Sequence, residues 1–366
     1  MGKCNVNLKA VGDITLVTKC NSSPFEKIKN VLTNKDILLG NLETVLSTKG
    51  IKAEKAIILH NNPEKVKYLK DAGFDILNLA NNHITDLGIA GFNETLDVLN
   101  KSNIRFFGVS NSKFPEKHAI MEKQGSRLGF LGYSESGYKN IQNGIVVNNI
   151  CEQKIVNDIK ALKELCDVVV VSLHWGIESV FYPSPEQIEL ARIIIDKGAS
   201  AVLGHGSRVN QGIEEYKHGL IAYSLGSFQF DFDHEIVLTE KLSESLILSM
   251  NMSKSGIEDY EIIPLKIDGD YVPRAMGAEE RERFLVFISN ISKPITDGKI
   301  NKSWWFEQIG HTFITTNMYS WRTRITRYGL KHLLQCVKWL ISPFILKCYA
   351  GIIRNNLKQA FGLPRP

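Results

Sequence analysis

What this 366-residue chain lacks narrows it first. Its six cysteines, Cys4, Cys20, Cys151, Cys166, Cys336 and Cys348, form no Cys-x-x-Cys pair. That scatter reads as the reduced thiols of a cytosolic protein and argues against a disulfide framework. No GxxxxGKS phosphate loop occurs, and no GxGxxG opens a helix after a strand. The segment YSLGSF lacks the GxSxG spacing of a strained serine elbow, which argues against serine nucleophile chemistry. The opening MGKCNVNLKAVGDITL runs straight into a strand-like pattern with no apolar leader, and its sixth residue is not the Ser or Thr of a myristoylation signal. The expectation is a cytoplasmic location, with attachment to the inner membrane face as a peripheral variant.

Acidic residues are missing from one region altogether. From Gln308 onward there is no Asp or Glu, but there are nine cations: Arg322, Arg324, Arg327, Lys331, Lys338, Lys347, Arg354, Lys358 and Arg365. The whole chain is +5, so the part upstream of the tail carries about −4. A mildly acidic body is joined to a basic tail, and the two need not share partners.

What is present alternates β-like apolar runs with helical patterns. ILLGNLE (37–43), FDILNLA (74–80), IRFFGV, CDVVVVSLHWG, SAVLGHG and LIAYSLGSFQF read as strands. NPEKVKYLKDAG (62–73) reads as a helix with Asn62 as cap, Pro63 in the first turn and Gly73 as stop. IAGFNETLDVLNKSN, a stretch near 152–166, SPEQIELARIIIDKGA with Ser184 as cap, and 278–292 read as further helices. Residues 245–267 read as a β-hairpin that closes the domain. Continuous runs such as VVVVSL suit strands covered on both faces, and their alternation with helices indicates an α/β fold. The domain boundary is placed near 295–305, dividing a body (1–295) from a basic, aromatic helical extension (296–366).

The polar clusters share one position, the end of an apolar run: Asp13, then Asn41 and Glu43, then Asn81, Asn82, His83 and Asp86, then His174 and Glu178, then His205 and Arg208. In open α/β sheets ligands bind beyond the carboxyl ends of the strands, so five such clusters would converge. Carboxylate, amide and imidazole donors without thiolate suit Mn²⁺, Fe²⁺, Zn²⁺ or Mg²⁺, and a bridging carboxylate can hold two ions roughly 3.5–4 Å apart. Taken singly, Asp13 fits a turn, Asn81-Asn82 a left-handed loop, His174 a satisfied core histidine and Glu178 a solvated helix start. Their recurrence at five strand ends favours the functional reading.

The stretches GDITL, NLET, LANNHITDLG, SLHWGIE, YPSPEQIELARIIIDKGA, VLGHG and GIEEYKHGLIAYSLGSF, in this order and spacing, resemble the CapA family over about residues 6–290. These are bacterial capsule-synthesis proteins linked to poly-γ-glutamate. The resemblance implies a metallophosphatase-like four-layer αββα sandwich with a two-metal-type centre for divalent ions. It places Asp13, Glu43, Asn82, His174 and His205 at ligand positions and His83 at the leaving-group position. Asp86 and Arg208 complete the expected catalytic set, with Asn81, Trp175 and Glu178 facing substrate; Asn81 and Asp86 are also placed to hold the loop and orient His83. The chain departs from the pattern at Thr15 and Arg208, where related phosphoesterases carry histidines, and at Ser227, where the family has Asn. Arginine cannot ligate a metal but can fork onto an anionic group.

The function implied is a metal-dependent, phosphoesterase-like hydrolase of surface-polymer biosynthesis acting on an anionic polymer or phosphoester. The alternative is a non-catalytic accessory component of the same machinery. The tail, with WWFEQIGHTF and the short apolar run WLISPFIL flanked by Lys338 and Lys347, is too interrupted to span a bilayer. It fits a helical pair packed on the body, an interfacial helix on anionic lipid, or a contact with polyanion or synthase. Its cations are spread among large aliphatics, which argues against nucleic acid.

Overall fold

The computed structural model describes residues 5–360 except 21, 141, 143, 232–239 and 330. Cys4 and Arg365 lie outside the described residues, as do the side chains of Arg327 and Lys331. Two sheets stack face to face. The eight-stranded sheet has a parallel centre of Val6–Ile14, Ile37–Leu42, Ile76–Asn78 and Arg105–Phe107. The long hairpin Glu244–Ser253 and Gly256–Ile267, with the short strand Pro273–Ala275, extends it antiparallel, and Ser227–Gln229 pairs with the end of the first strand. The six-stranded sheet has a parallel centre of Ser126–Ser134, Val168–His174, Ala201–His205 and Gly219–Ala222, edged by His118–Lys123 and Ile213–Tyr216.

Side-chain alternation assigns the layers. Leu8, Leu39 and Ile76 from one sheet meet Phe130, Val170 and Leu203 from the other in the core between them. Each such large apolar side chain contributes about 1.5–3 kcal/mol by leaving water. The alternate residues Leu38 and Leu77 face outward and pack with Phe92 and Leu96 of the helix Gly88–Lys101. Val169, Val171 and Leu173 likewise face Ile159 of the helix Glu152–Lys163 and Ile194 of the helix Pro185–Asp196. The result is the four-layer αββα sandwich expected. The helix Pro185–Asp196 starts where its sequence says. Ser184 Oγ accepts from the Gln187 amide at 3.2 Å, and Gln187 Oε1 accepts from the Ser184 amide at 2.8 Å, a reciprocal cap.

Three tail helices follow, Lys302–Tyr328, Lys331–Leu340 and Pro343–Ala360. The root of the first is not free of the body: Trp305, Phe306 and Ile309 join the layer beneath the second sheet, and the Trp305 indole donates to the Tyr182 carbonyl at 3.0 Å. The adjacent strands His118–Lys123 and Ser126–Ser134 are an addition to the sequence reading, as is a short turn of 3-10 helix, Glu26–Ile28. The helix expected over 62–73 opens as the 3-10 turn Pro63–Lys65, capped by Asn62, and continues as Val66–Asp71.

Candidate metal centre

The polar residues arrive in two in-register rows, one per sheet. In the first sheet, Asn41 and Asn78 continue the inward series of Leu39 and Ile76 and sit opposite each other. Strict alternation would not bring Asp13 to the same row. Between Ala10 and Asp13 the first strand carries one residue more than its neighbour, and this bulge re-aims Asp13 to lie opposite Asn41. Asn78 Nδ2 then donates to Asn41 Oδ1 at 3.0 Å, and Asn41 Nδ2 donates to Asp13 Oδ1 at 2.8 Å. In the second sheet, His174 and His205 are direct cross-strand partners at the ends of the inward series 168, 170, 172 and 201, 203.

The rows meet. One ligand atom each of Asp13, Glu43 and His174 lie within 4.8 Å of one another, and all three residues are buried. His174 Nε2 is 3.4 Å from Glu43 Oε1, His205 Nδ1 is 3.4 Å from Asp13 Oδ1, and His83 Nε2 is 3.8 Å from Glu43 Oε1. Burial works to raise the Asp13 pKa, yet the adjacent His205 ring, with His174 and Asn41, holds it below the usual carboxylate range. Burial works to lower the His174 pKa, and Glu43, aided by Asp13 and Glu135, pushes it up.

These residues fit a divalent cation. Five buried polar atoms here make no hydrogen bond: Glu43 Oε2, Asn82 Oδ1, His174 Nε2 and both ring nitrogens of His205. Each buried donor or acceptor left unpaired costs about 1–3 kcal/mol, and a cation would be accepted by the carboxylate, the amide oxygen and one nitrogen of each imidazole.

A family model described as Bacterial capsule synthesis protein PGA_cap matches residues 7–232, more than half of the chain and every strand end just described. The chain belongs to this capsule synthesis family. It is 32% identical over 282 residues to "Capsule biosynthesis protein CapA" of Bacillus anthracis, covering 74% of this chain and 67% of that one. It is 31% identical over 290 residues to "PGA biosynthesis protein CapA" of Bacillus subtilis, covering 76% and 75%. A "Probable polyglutamine synthesis accessory protein" of Mycobacterium tuberculosis is 26% identical over 275 residues, covering 69% of this chain and 72% of that one. Among solved structures, a hypothetical protein from Thermus thermophilus superposes with a TM-score of 0.47 at 15% identity, covering 71% of this chain and 99% of that one. A 5'-nucleotidase from Candida albicans gives 0.42 at 11% identity, covering 81% and 59%.

The remaining expected site residues of this family member divide by what they touch. Asp86 is fully buried, and its Oδ2 is 2.6 Å from His83 Nδ1. Burial would raise its pKa, but His83 and Lys55 bring it below the ordinary value. Asp86 therefore positions His83. Asn81 is equally buried: its Nδ2 donates to the Leu42 carbonyl at 2.8 Å and its Oδ1 accepts from the His83 amide at 3.1 Å. It ties the loop down and does not face substrate. Trp175 is corrected for the same reason. It continues the outward series 169, 171, 173, lies in the layer under the helices at 3% exposure, and donates its indole N–H to the Tyr223 carbonyl at 3.0 Å. Arg208 takes a left-handed backbone (φ 61°), with its guanidinium 4.7 Å from the Phe230 ring centre and Nη2 3.4 Å from Glu178 Oε1. Thr15 Oγ1 donates to the Gln229 carbonyl at 3.4 Å.

Two residues escaped sequence reasoning. Glu135, just past the strand Ser126–Ser134, accepts from the Gly176 amide at 3.1 Å beside His174. Its signal, another polar residue after an apolar run (FLGYSE), was there to be found. Lys55 gave none: it sits in a segment without regular structure. Its ammonium donates to Asp86 Oδ1 at 2.6 Å and to the Asn82 backbone carbonyl. It thus clamps both the His83–Asp86 pair and the Asn82 loop. Lys55→Met should weaken metal binding about 10–100-fold, the usual effect of losing a group that supports ligands, and Lys55→Arg should recover part of that. Competition titration with a metal-sensitive dye checks it; unchanged affinity in Lys55→Met would show that the loop holds itself.

Proposed function

We propose that this chain is a metal-dependent hydrolase of phosphoester type acting on an anionic substrate in surface-polymer biosynthesis. The observation that supports this most is the buried group formed by ligand atoms of Asp13, Glu43 and His174 within 4.8 Å of one another, with the His205 ring 3.4 Å from Asp13. Asp13, Glu43, Asn82, His174 and His205 would hold the cation, with Glu43 placed between His174 and His83. A divalent ion there would supply Lewis-acid polarisation of the scissile bond. His83, fixed through Nδ1 by Asp86, leaves Nε2 directed at the cluster to hold or deliver a proton at the departing oxygen. Arg208, held over Phe230 beside the loop of His205, would fix an anionic group of the substrate.

A second reading, a non-catalytic accessory role, is favoured by Thr15 and Arg208, which replace two histidines and are engaged elsewhere. The name of the mycobacterial relative points the same way. Elemental analysis of protein purified without chelator or histidine tag, followed by assay on phosphodiester and γ-glutamyl panels, separates them. Hydrolysis lost in Asn82→Ala supports the enzyme. Metal at near-stoichiometric level with no turnover under any divalent ion supports the accessory role.

A further inference from the structure

The tail holds a surface that the strand-end site does not explain. Of thirteen large hydrophobic side chains exposed among the described residues, nine lie between Met318 and Leu357. They are ordered. On the helix Pro343–Ala360, Leu346, Ile353 and Leu357 recur at helical spacing and are 55%, 58% and 52% exposed. On the helix Lys331–Leu340, Leu334 and Val337 lead to Ile341 just beyond its end, at 71%, 49% and 66%. A soluble surface rarely keeps apolar stripes of this extent uncovered. Beside them Arg322, Lys338 and Lys347 are exposed. The nearest acid in sequence, Glu307, is already engaged by Arg354 (3.3 Å) and Lys358 (2.6 Å).

We infer that this face docks on an anionic lipid bilayer, lying in its interface. The charge decides among occupants. A second copy of the tail would bring the same cations, with no Asp or Glu from residue 308 onward to meet them, whereas an anionic headgroup layer complements both the cations and the apolar stripes beside them. The tail lies in the interface and does not cross the bilayer. No single described helix is long and apolar enough to span; the pair His332–Leu340 and Pro343–Lys358 reaches the length and composition of a span only when taken together, across a 51° bend. The opposite side of the last helix is also committed: Ile345 and Cys348 are fully buried, and Arg354 and Lys358 hold Glu307. Those charges would have to enter hydrocarbon for the helix to span.

The test is co-sedimentation of the full-length protein with mixed phosphatidylglycerol–phosphatidylcholine vesicles and with phosphatidylcholine alone. Binding is expected on the anionic vesicles, falling when salt is raised from about 0.1 to about 0.5 M because headgroup charge is then screened over a few ångströms. Lys338→Glu with Lys347→Glu should weaken it on the order of 10-fold or more, each reversal removing a surface cation. Leu334→Asn with Ile353→Asn, both on exposed positions and checked for unchanged circular dichroism and metal content, should weaken it comparably. Equal retention on neutral and anionic vesicles, or full retention by both double variants, overturns the proposal. So does a tail that self-associates in sedimentation velocity, or captures a soluble anionic polymer, without binding vesicles.

Discussion

Asp13→Ala and His174→Ala should each abolish the proposed binding of a divalent metal. Both residues contribute atoms to the one compact ligand group, and both come with partners already arranged: Asn41 donates to Asp13, and Glu43 lies 3.4 Å from the His174 ring. Removing a group that merely supports a ligand costs about 10–100-fold in affinity; removing a ligand should cost at least as much. The consequence is also thermodynamic. A ligand at 100 times its Kd stabilises the folded state by about 2.7 kcal/mol, so wild-type protein should gain that much with Mn²⁺ or Zn²⁺, while a variant weakened 10- to 100-fold gains only about 1.4 to 0.4 kcal/mol at the same concentration. Thermal melts with and without metal, paired with elemental analysis, read both effects. Near-stoichiometric metal in either variant would remove these residues from the site.

The second large effect comes from a single methyl group. A Cβ at Gly12 would lie 1.9 Å from the Gly226 carbonyl oxygen, and one at Gly204 would lie 1.8 Å from that of Tyr223. Both obstacles are backbone, so no side chain can swing away. Gly12 precedes Asp13 and Gly204 precedes His205, so the strain falls where the ligands are set. Overpacking of this kind costs typically 1–3 kcal/mol and more when nothing can relax. Gly12→Ala and Gly204→Ala should therefore each lower stability by about 3 kcal/mol or more and lose metal as well. Gly269→Ala is the control, since nothing lies within 4 Å of its added carbon; it should melt within about 1 °C of wild type, as exposed substitutions do. Wild-type stability and metal content in Gly12→Ala would mean that these strands part more easily than their spacing implies.

Much of this was legible in the sequence because the strands are regular. Where side chains alternate without interruption, as in 168–174 and 201–205, counting by two from the apolar core leads to His174 and His205. The same counting turns Trp175 outward, into the layer under the helices and away from the substrate-facing position expected for it. It fails at Asp13, because a bulge has no signature in GDITL and the extra residue is visible only against the neighbouring strand. Lys55 was illegible for another reason: it reaches Asp86 across 31 positions from a stretch with no periodicity. The four layers and the site were readable together only through the resemblance of LANNHITDLG, SLHWGIE and VLGHG to a known family.

The candidate ligands are divided between the halves of the sandwich, Asp13 and Glu43 from one and His174 and His205 from the other. A cation seated among them would act as a rivet through the seam at one rim, joining chain segments that are sequence-distant. Chelation should then unfasten that rim alone: amide deuterium uptake would quicken around residues 13, 43, 174 and 205, while the far ends of the same strands, where Val6 is paired with Met252, keep their protection.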